Sequence, residues 1–223
     1  MQVFINSLDK WFSMAKSPSL YLLAIIGIVY LIQLTVPGFT EQFIFDPLKA
    51  FSEPWRFVTS MFLHSPESFL HILFNAYALF MFGTILENKV SVKNYLIIFF
   101  GAGIVGGFLY YLTYVFGIIP AVPALGASGA IYGVLGAVAM ILPELPIFVW
   151  FIPMRMKHAA ILWVIIEFIG TFNIASGVAS AAHLGGLIFG ALFAWYLKNQ
   201  GIGGQAGFSE IRYNTYQPPP EWH

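Results

Sequence analysis

Two glycine-rich segments decide the fold: residues 126–141 read GASGAIYGVLGAVAMI, and residues 182–190 read AHLGGLIFG. Both carry glycines at helical spacing, namely Gly129, Gly133 and Gly136 in the first segment and Gly186 and Gly190 in the second. Stripes of small residues let two helix backbones approach closely inside a membrane. We therefore predict that the two segments are helices that pack directly against each other.

The composition of the chain supports a membrane environment. Of its 223 residues, 59% are hydrophobic and only 9% are charged, against about 45–50% and 25% in soluble domains. Ten acidic and ten basic residues are too few to cover a soluble domain of this size, which excludes a soluble enzyme and a disordered chain. The formal net charge of zero argues against nucleic acid as a partner. Because cysteine is absent, disulfides, thiolate chemistry and cysteine-based metal sites are excluded.

Apolar runs along the chain predict an all-α membrane protein with six spans, since a spanning helix needs roughly 20 apolar residues. The runs cover approximately residues 20–36, 69–86, 94–116, 128–142, 158–171 and 181–197. The fifth is short, and the apolar segment 147–152 is a candidate extension of it. We predict one domain over residues 19–198, a cytoplasmic segment 1–18 before it, and a flexible cytoplasmic tail 199–223 that is rich in polar residues and proline.

Basic residues predict the orientation of the spans. Eight of the ten would lie on one side, namely Lys10, Lys16, Lys89, Lys93, Arg155, Lys157, Lys198 and Arg212. Both termini are therefore expected in the cytoplasm, most simply of a cell-membrane protein. The long first loop, residues 38–68, lies on the opposite side and is rich in aromatic residues, so we expect it to lie at the outer membrane interface, in contact with lipid.

Polar side chains inside spans are expensive and need a reason. His71 and Asn75 lie in the first turns of the second helix, Ser128 opens the fourth, and His183 lies in the first turn of the sixth. These three helices all run from the outer face inward, so the four residues lie at similar depth in the outer half of the membrane. Glu167 in the fifth helix is a further polar residue, which we interpret as pairing with a neighbour or lying near the interface.

The common depth of these residues points to acyl-transfer chemistry. Packing the fourth helix on the sixth would bring the Ser128 hydroxyl to the His183 imidazole, the arrangement of a nucleophile and its base. No acidic residue is near His183 in the sequence, which favours a dyad, and Tyr132 is placed to hold the ring by stacking. Unpaired backbone N–H groups at the start of the fourth helix, with His71 and Asn75, would donate to an oxyanion.

Taken singly, each residue also has a structural explanation. A serine between glycines is a common N-cap, and a lone buried histidine is commonly a packing donor. His71 and Asn75 share one helix face, which simple interhelical hydrogen bonding also explains. The common depth is what favours the catalytic interpretation.

These residues together resemble the rhomboid family of intramembrane serine proteases. The motifs are Trp55-Arg56, His71 to Asn75 (HILFN), Gly126 to Gly129 (GASG), and Ala182 to Gly186 (AHLGG) followed by Gly190. Tyr132, four residues after the serine, falls at the position where family members carry a residue that stacks on the histidine. Glu87 matches the acidic residue that family members carry at the cytoplasmic end of the second helix.

The resemblance implies a minimal six-helix rhomboid-like bundle that needs no cofactor or metal. Ser128 and His183 would be catalytic, His71, Asn75 and the Ser128 backbone N–H would form the oxyanion hole, and loop 171–180 would cap the site. The substrates would be single-span transmembrane proteins. His64 resembles a histidine of some members but receives no catalytic role, and the sequence does not predict an oligomeric state.

The amino-acid sequence is also compatible with two other functions. One is a non-catalytic member of the same fold that retains or escorts transmembrane clients. The other is a small transporter in which Glu167, His71 and His183 form a proton relay.

Overall fold

The computed structural model describes residues 17–149, 151–173 and 179–203. Its longer helices are α1 (Pro18–Thr35), α2 (Phe69–Glu87), α3 (Val92–Val115), α4 (Ser128–Ile141), α5 (Met156–Gly170) and α6 (Ser180–Asn199). Residues 79–83 form a π-helical turn inside α2. Short helices occupy the first loop, at Phe39–Phe43, Pro47–Lys49, Arg56–Thr59 and Ser60–Phe62. The predicted cytoplasmic segment lies outside the described residues except for Ser17 and Pro18, and most of the predicted tail also lies outside them.

Four of these helices, α1, α2, α3 and α6, are long and apolar enough to cross a membrane. The chain is therefore a multi-pass membrane protein that is mainly helical. Helix α4, with 14 residues, and helix α5, with 15, are shorter than a full span needs. The count of six spans thus stays a prediction.

The segment before α5 is a β-hairpin, so the predicted extension of the fifth helix through residues 147–152 is wrong. Strand β1 (Pro146–Val149) pairs antiparallel with β2 (Ile152–Arg155), with Ile147 opposite Met154. Proline has no N–H to donate and clashes with the preceding helical turn, so Pro146 and Pro153 oppose a helix here. The run was apolar enough for a helix, but the prolines on either side of it favour extended backbone.

Helix α4 lies at the centre of the bundle, since ten of its 14 residues are buried. It packs on α6 through direct backbone contact. A Cβ added to Gly186 would overlap the Gly129 carbonyl, and one added to Gly190 would overlap the Gly133 carbonyl. The close approach expected from the two glycine stripes is therefore present.

The glycine contacts also show that α4 and α6 run in the same direction, because Gly129 meets Gly186 and, one turn later, Gly133 meets Gly190. At the far end of the pair, the Lys198 ammonium lies 3.3 Å from the Met140 carbonyl oxygen and donates to it. The N-terminal ends of the two helices therefore lie side by side.

Glu87 at the end of α2 ties that end to the start of α1. Its carboxylate accepts hydrogen bonds from the Ser17 hydroxyl at 2.8 Å and from the Ser19 hydroxyl at 2.7 Å. The backbone N–H of Ser19, which has no partner within its own helix, also donates to it at 3.2 Å. A carboxylate at a helix N-terminus is favourable for both hydrogen bonding and the helix dipole.

The α4–α6 contact predicts opposite effects for two glycine-to-alanine changes. Gly190→Ala should lower the midpoint of thermal unfolding in detergent, because the new methyl group overlaps the Gly133 backbone and overpacking costs about 1–3 kcal/mol. Gly27→Ala in α1 is the matched control, because nothing lies within 4 Å of an added Cβ there and alanine favours a helix by up to about 1 kcal/mol. Equal unfolding midpoints for Gly190→Ala and the unmodified protein would contradict the close contact.

Candidate active site

A hydroxyl and an imidazole meet where α4 and α6 begin. Ser128 Oγ lies 2.6 Å from His183 Nε2, although 55 residues separate the two in the chain. Both side chains line a cavity of about 650 Å³. The pair is thus in hydrogen-bond contact and open to a space that can admit another molecule.

The turn before Ser128 is shaped by Gly126 and supported by the first loop. Gly126 has a φ of +128°, which a residue with a side chain rarely adopts. Its N–H donates to the Ser60 carbonyl at 3.0 Å, and Phe45 and Ala124 exchange two backbone hydrogen bonds just upstream. The first loop therefore fixes where α4 starts and where the Ser128 hydroxyl points.

Tyr132, one turn after Ser128, stacks on the His183 ring. The two ring centroids are 4.4 Å apart and the planes differ by 6°. This is the contact expected from the spacing of Tyr132 after Ser128. The stacked phenol ring restricts rotation of the imidazole.

Glu167, which the sequence analysis interpreted as pairing with a neighbour or lying near the interface, lies beside His183. Its Oε1 lies 3.1 Å from His183 Nδ1 and accepts a hydrogen bond from the Tyr132 hydroxyl at 2.5 Å. The Nδ1 contact has the distance of an ion pair, but the oxygen lies off the direction of the ring N–H, so Nδ1 makes no aligned hydrogen bond. No local signal linked α5 to His183, because their contact depends on how α5 crosses the bundle.

His71 lines the cavity and presents one ring nitrogen to the turn before Ser128. A Cβ built on Gly126 would lie 3.0 Å from His71 Nε2 and 3.6 Å from Ser128 Oγ. On the other side of the ring, the Ser65 N–H donates to Nδ1 at 3.4 Å. A neutral imidazole whose Nδ1 accepts must carry its proton on Nε2, so His71 presents a donor near the serine hydroxyl.

Asn75 is buried one turn below His71, and only 7% of its surface is exposed. Its Nδ2 donates to the His71 carbonyl at 2.9 Å, and its side chain does not line the cavity. A carboxamide has two N–H groups, so one donor remains for another acceptor. The geometry thus brings His71 to the serine more closely than it brings Asn75.

His64 is fully buried and its ring centroid lies 5.2 Å from that of His71. Burial, with a further contribution from neighbouring His71, lowers the pKa of His64 to about 4. The ring is therefore neutral at ordinary pH. Its backbone is held to α1 by Gln33, which accepts from the His64 N–H and donates to the His64 carbonyl, both at 3.0 Å.

Trp55 and Arg56 hold the first loop together rather than lining the cavity. Trp55 is half exposed and precedes the short helix Arg56–Thr59. Arg56 is buried, pairs with Glu53, and donates to the carbonyls of Glu41 at 2.9 Å and Ile44 at 2.7 Å. The guanidinium thereby joins three parts of the loop that supports the Ser128 turn.

The predicted cap over the site, residues 171–180, lies only partly within the described residues. Thr171 and Asn173 line the cavity at one end of this loop, and Ala179 and Ser180 line it at the other. Within the described ranges, no three histidine or acidic side chains cluster as metal ligands would.

The Arg56 contacts predict that this side chain stabilises the fold. Arg56→Ala should lower the free energy of unfolding by about 1–3 kcal/mol or more, because two carbonyls lose a charged donor and Glu53 loses its buried partner. Lys49→Ala is the matched control: Lys49 also pairs with Glu53, at 3.6 Å, but its side chain is 47% exposed, and such surface pairs contribute about 0–1 kcal/mol. Thermal unfolding of both variants in detergent checks this, and equal midpoints would contradict the anchoring role.

Comparison with known proteins agrees with the motifs and the helical arrangement. Residues 52–200 match the family model of the Rhomboid domain, which is about two thirds of the chain. Part of the chain is 36% identical over 61 residues to the Bacillus subtilis (strain 168) protein named "Putative rhomboid protease YdcA". That alignment covers 27% of this chain and 30% of the relative. The chain belongs to the rhomboid family.

Proposed function

We propose that this protein is an intramembrane serine endopeptidase that cleaves single-span transmembrane proteins in the outer half of the bilayer. The observation that carries the proposal is the 2.6 Å contact between Ser128 Oγ and His183 Nε2 at a cavity large enough for a peptide segment. Membership of the rhomboid family and the relative's protease name support it independently.

The proposed reaction begins when a substrate carbonyl enters the cavity beside Ser128. The hydroxyl proton moves to His183 Nε2 as Oγ bonds to the carbonyl carbon, and the carbonyl π electrons move onto its oxygen. The imidazolium then donates the proton to the departing amine, leaving an ester on Ser128. Water, deprotonated by the same imidazole, attacks the ester carbon. The bond between Oγ and the acyl carbon then breaks, the imidazolium returns the proton to Oγ, and the new carboxyl end is released.

Negative charge on the tetrahedral oxygen needs donors that already point at it. The backbone N–H of Ser128 lies in the first turn of α4, where an amide has no partner within the helix. His71 Nε2–H faces the same place across the Gly126 backbone. We include Asn75 as a third donor, through the N–H that does not bond the His71 carbonyl.

We propose that the site faces the outer leaflet and that both chain termini are cytoplasmic. Helices α2, α4 and α6 carry their site residues at their N-terminal ends. Lys89 follows the C-terminal end of α2, Lys93 lies in the first turn of the next helix, α3, and Lys198 lies in the last turn of α6. Because basic residues concentrate on the cytoplasmic side, the reactive ends point outward. The exposed aromatic side chains of the first loop, such as Phe51 and Trp55, suit an outer membrane interface.

The dyad predicts that Ser128→Ala and His183→Ala each abolish cleavage of a single-span model substrate by the purified protein, while thermal unfolding stays close to that of the unmodified protein. Residual rates after loss of a nucleophile or its base are very small, with reductions of about 10⁶-fold in a soluble serine protease. The matched controls Ser52→Ala and His158→Ala remove an exposed serine and an exposed histidine and should retain full activity. Cleavage by Ser128→Ala at the unmodified rate would refute the serine mechanism, and absence of cleavage by the unmodified protein would favour a binding or transport function.

The oxyanion assignment makes separate predictions for His71 and Asn75. His71→Ala or Asn75→Ala should lower kcat more than it raises KM, because a donor to the oxyanion acts mainly in the transition state. Loss of one such donor typically costs about 2.7–4 kcal/mol. Measuring kcat, KM and unfolding midpoint on both variants separates the roles. A variant with unchanged kcat and reduced stability would remove that residue from the oxyanion hole.

A further inference from the structure

We propose that Glu167 is the acidic member of a Ser128–His183–Glu167 triad, acting on the reaction as a positioning residue for His183. The inference rests on the proposed function, because it assigns a role within the same site. Its basis is the position of a buried carboxylate against the ring nitrogen that faces away from the serine.

The tautomer of His183 requires an acceptor on that side. For Nε2 to take the Ser128 proton it must be unprotonated, so a neutral ring carries its proton on Nδ1. Nδ1 is fully buried, and a buried donor without a partner is costly. Glu167 Oε1, at 3.1 Å, is the acceptor within reach among the described residues.

The surroundings of Glu167 explain why it can serve this purpose. Glu167 is only 5% exposed and lies in the apolar part of α5, beyond Lys157 and His158 in its first turn. An ionisable side chain at such a position is by default a candidate functional group. Among the described residues it has no lysine or arginine partner within ion-pair distance, and His183 is its one ion-pair contact. The positive charge that forms on the imidazole during the reaction would therefore lie beside an otherwise uncompensated carboxylate.

The Tyr132 hydroxyl holds the carboxylate in place by donating to Oε1 at 2.5 Å. Tyr132 thus contacts both partners, since its ring also stacks on His183. Hydrogen bonds of catalytic groups are commonly misaligned before substrate binds and tighten in the reactive complex, which accounts for the off-axis geometry at Nδ1.

In the proposed step the proton of Ser128 moves to Nε2 while the Nδ1 proton stays on the ring. Glu167 remains a carboxylate throughout and gains a hydrogen bond to a charged imidazolium. No proton passes to Glu167, in keeping with the role of the acidic residue in soluble triads. The titratable groups that face the ring are Tyr132 from α4, Glu167 from α5 and His71 from α2.

The test compares Glu167→Gln with Tyr132→Phe. Glu167→Gln retains the size of the side chain and the hydrogen bond from Tyr132 but removes the charge. Tyr132→Phe removes the hydrogen bond but retains the stacked ring and the carboxylate. If Glu167 only tied α5 to α4 through this hydrogen bond, Tyr132→Phe would lower the unfolding midpoint, whereas Glu167→Gln would keep both its stability and its kcat.

The triad predicts a different result for cleavage of a single-span model substrate in detergent. Glu167→Gln should lower kcat by about ten- to a thousandfold, less than the roughly 10⁴-fold loss in a soluble triad, because Tyr132 still holds the ring. KM should change little, because Glu167 does not line the cavity and acts through His183. Glu167→Asp should restore part of kcat, and Tyr132→Phe should lower kcat less than Glu167→Gln does, because it keeps both the stacked ring and the carboxylate.

An unchanged kcat in a folded Glu167→Gln variant would overturn the triad. If Glu167→Gln is recovered only in part, kcat is counted per molecule of Ser128 labelled by a fluorophosphonate, and the same outcomes apply. Ser128→Ala and His183→Ala distinguish a failure of the triad from a failure of the proposed function. If both variants are inactive while Glu167→Gln is fully active, only the triad is wrong. If Ser128→Ala itself cleaves, the proposed function is wrong.

Discussion

The contact between the α4 and α6 backbones positions the polar groups of the site. Where Gly129 meets Gly186 and Gly133 meets Gly190, no side chain separates the two helices. The parallel alignment then leaves Ser128 and His183 side by side just beyond the first contact, 2.6 Å apart. Helices separated by ordinary side chains lie 8–10 Å apart, so a hydroxyl and an imidazole held this close depend on the missing Cβ atoms.

The bilayer gives this arrangement its chemical significance. Polar groups in an apolar medium need polar partners, and the site brings its members into contact in sequence: serine with histidine, histidine with glutamate, glutamate with tyrosine. Tyr132 closes the cluster by stacking on His183 while donating to Glu167. Electrostatic contacts within such a cluster are strong because the local dielectric is low. We propose that the same features make Ser128 reactive.

Much of this could be predicted from local sequence, and the failures have physical causes. The positions of the long helices follow from apolar runs, and the α4–α6 contact follows from glycine spacing, since both signals lie within single segments. The contact of Glu167 with His183 was missed because it depends on how α5 crosses α6, which no local pattern encodes. The β-hairpin before α5 was missed because an apolar run was interpreted by composition, although Pro146 and Pro153 oppose a helix there. A rule based on helix length also fails to give the number of membrane spans, because α4 has only 14 residues and lies inside the bundle.

The central claim is that Ser128 is a nucleophile activated by His183. Its most direct test is to incubate the purified protein with a fluorophosphonate and map the adduct by mass spectrometry, with His183→Ala treated in parallel. The account predicts one adduct, on Ser128, in the unmodified protein and loss of that adduct in His183→Ala. Absence of an adduct on Ser128 in the folded protein, or equal labelling in the two proteins, would contradict it.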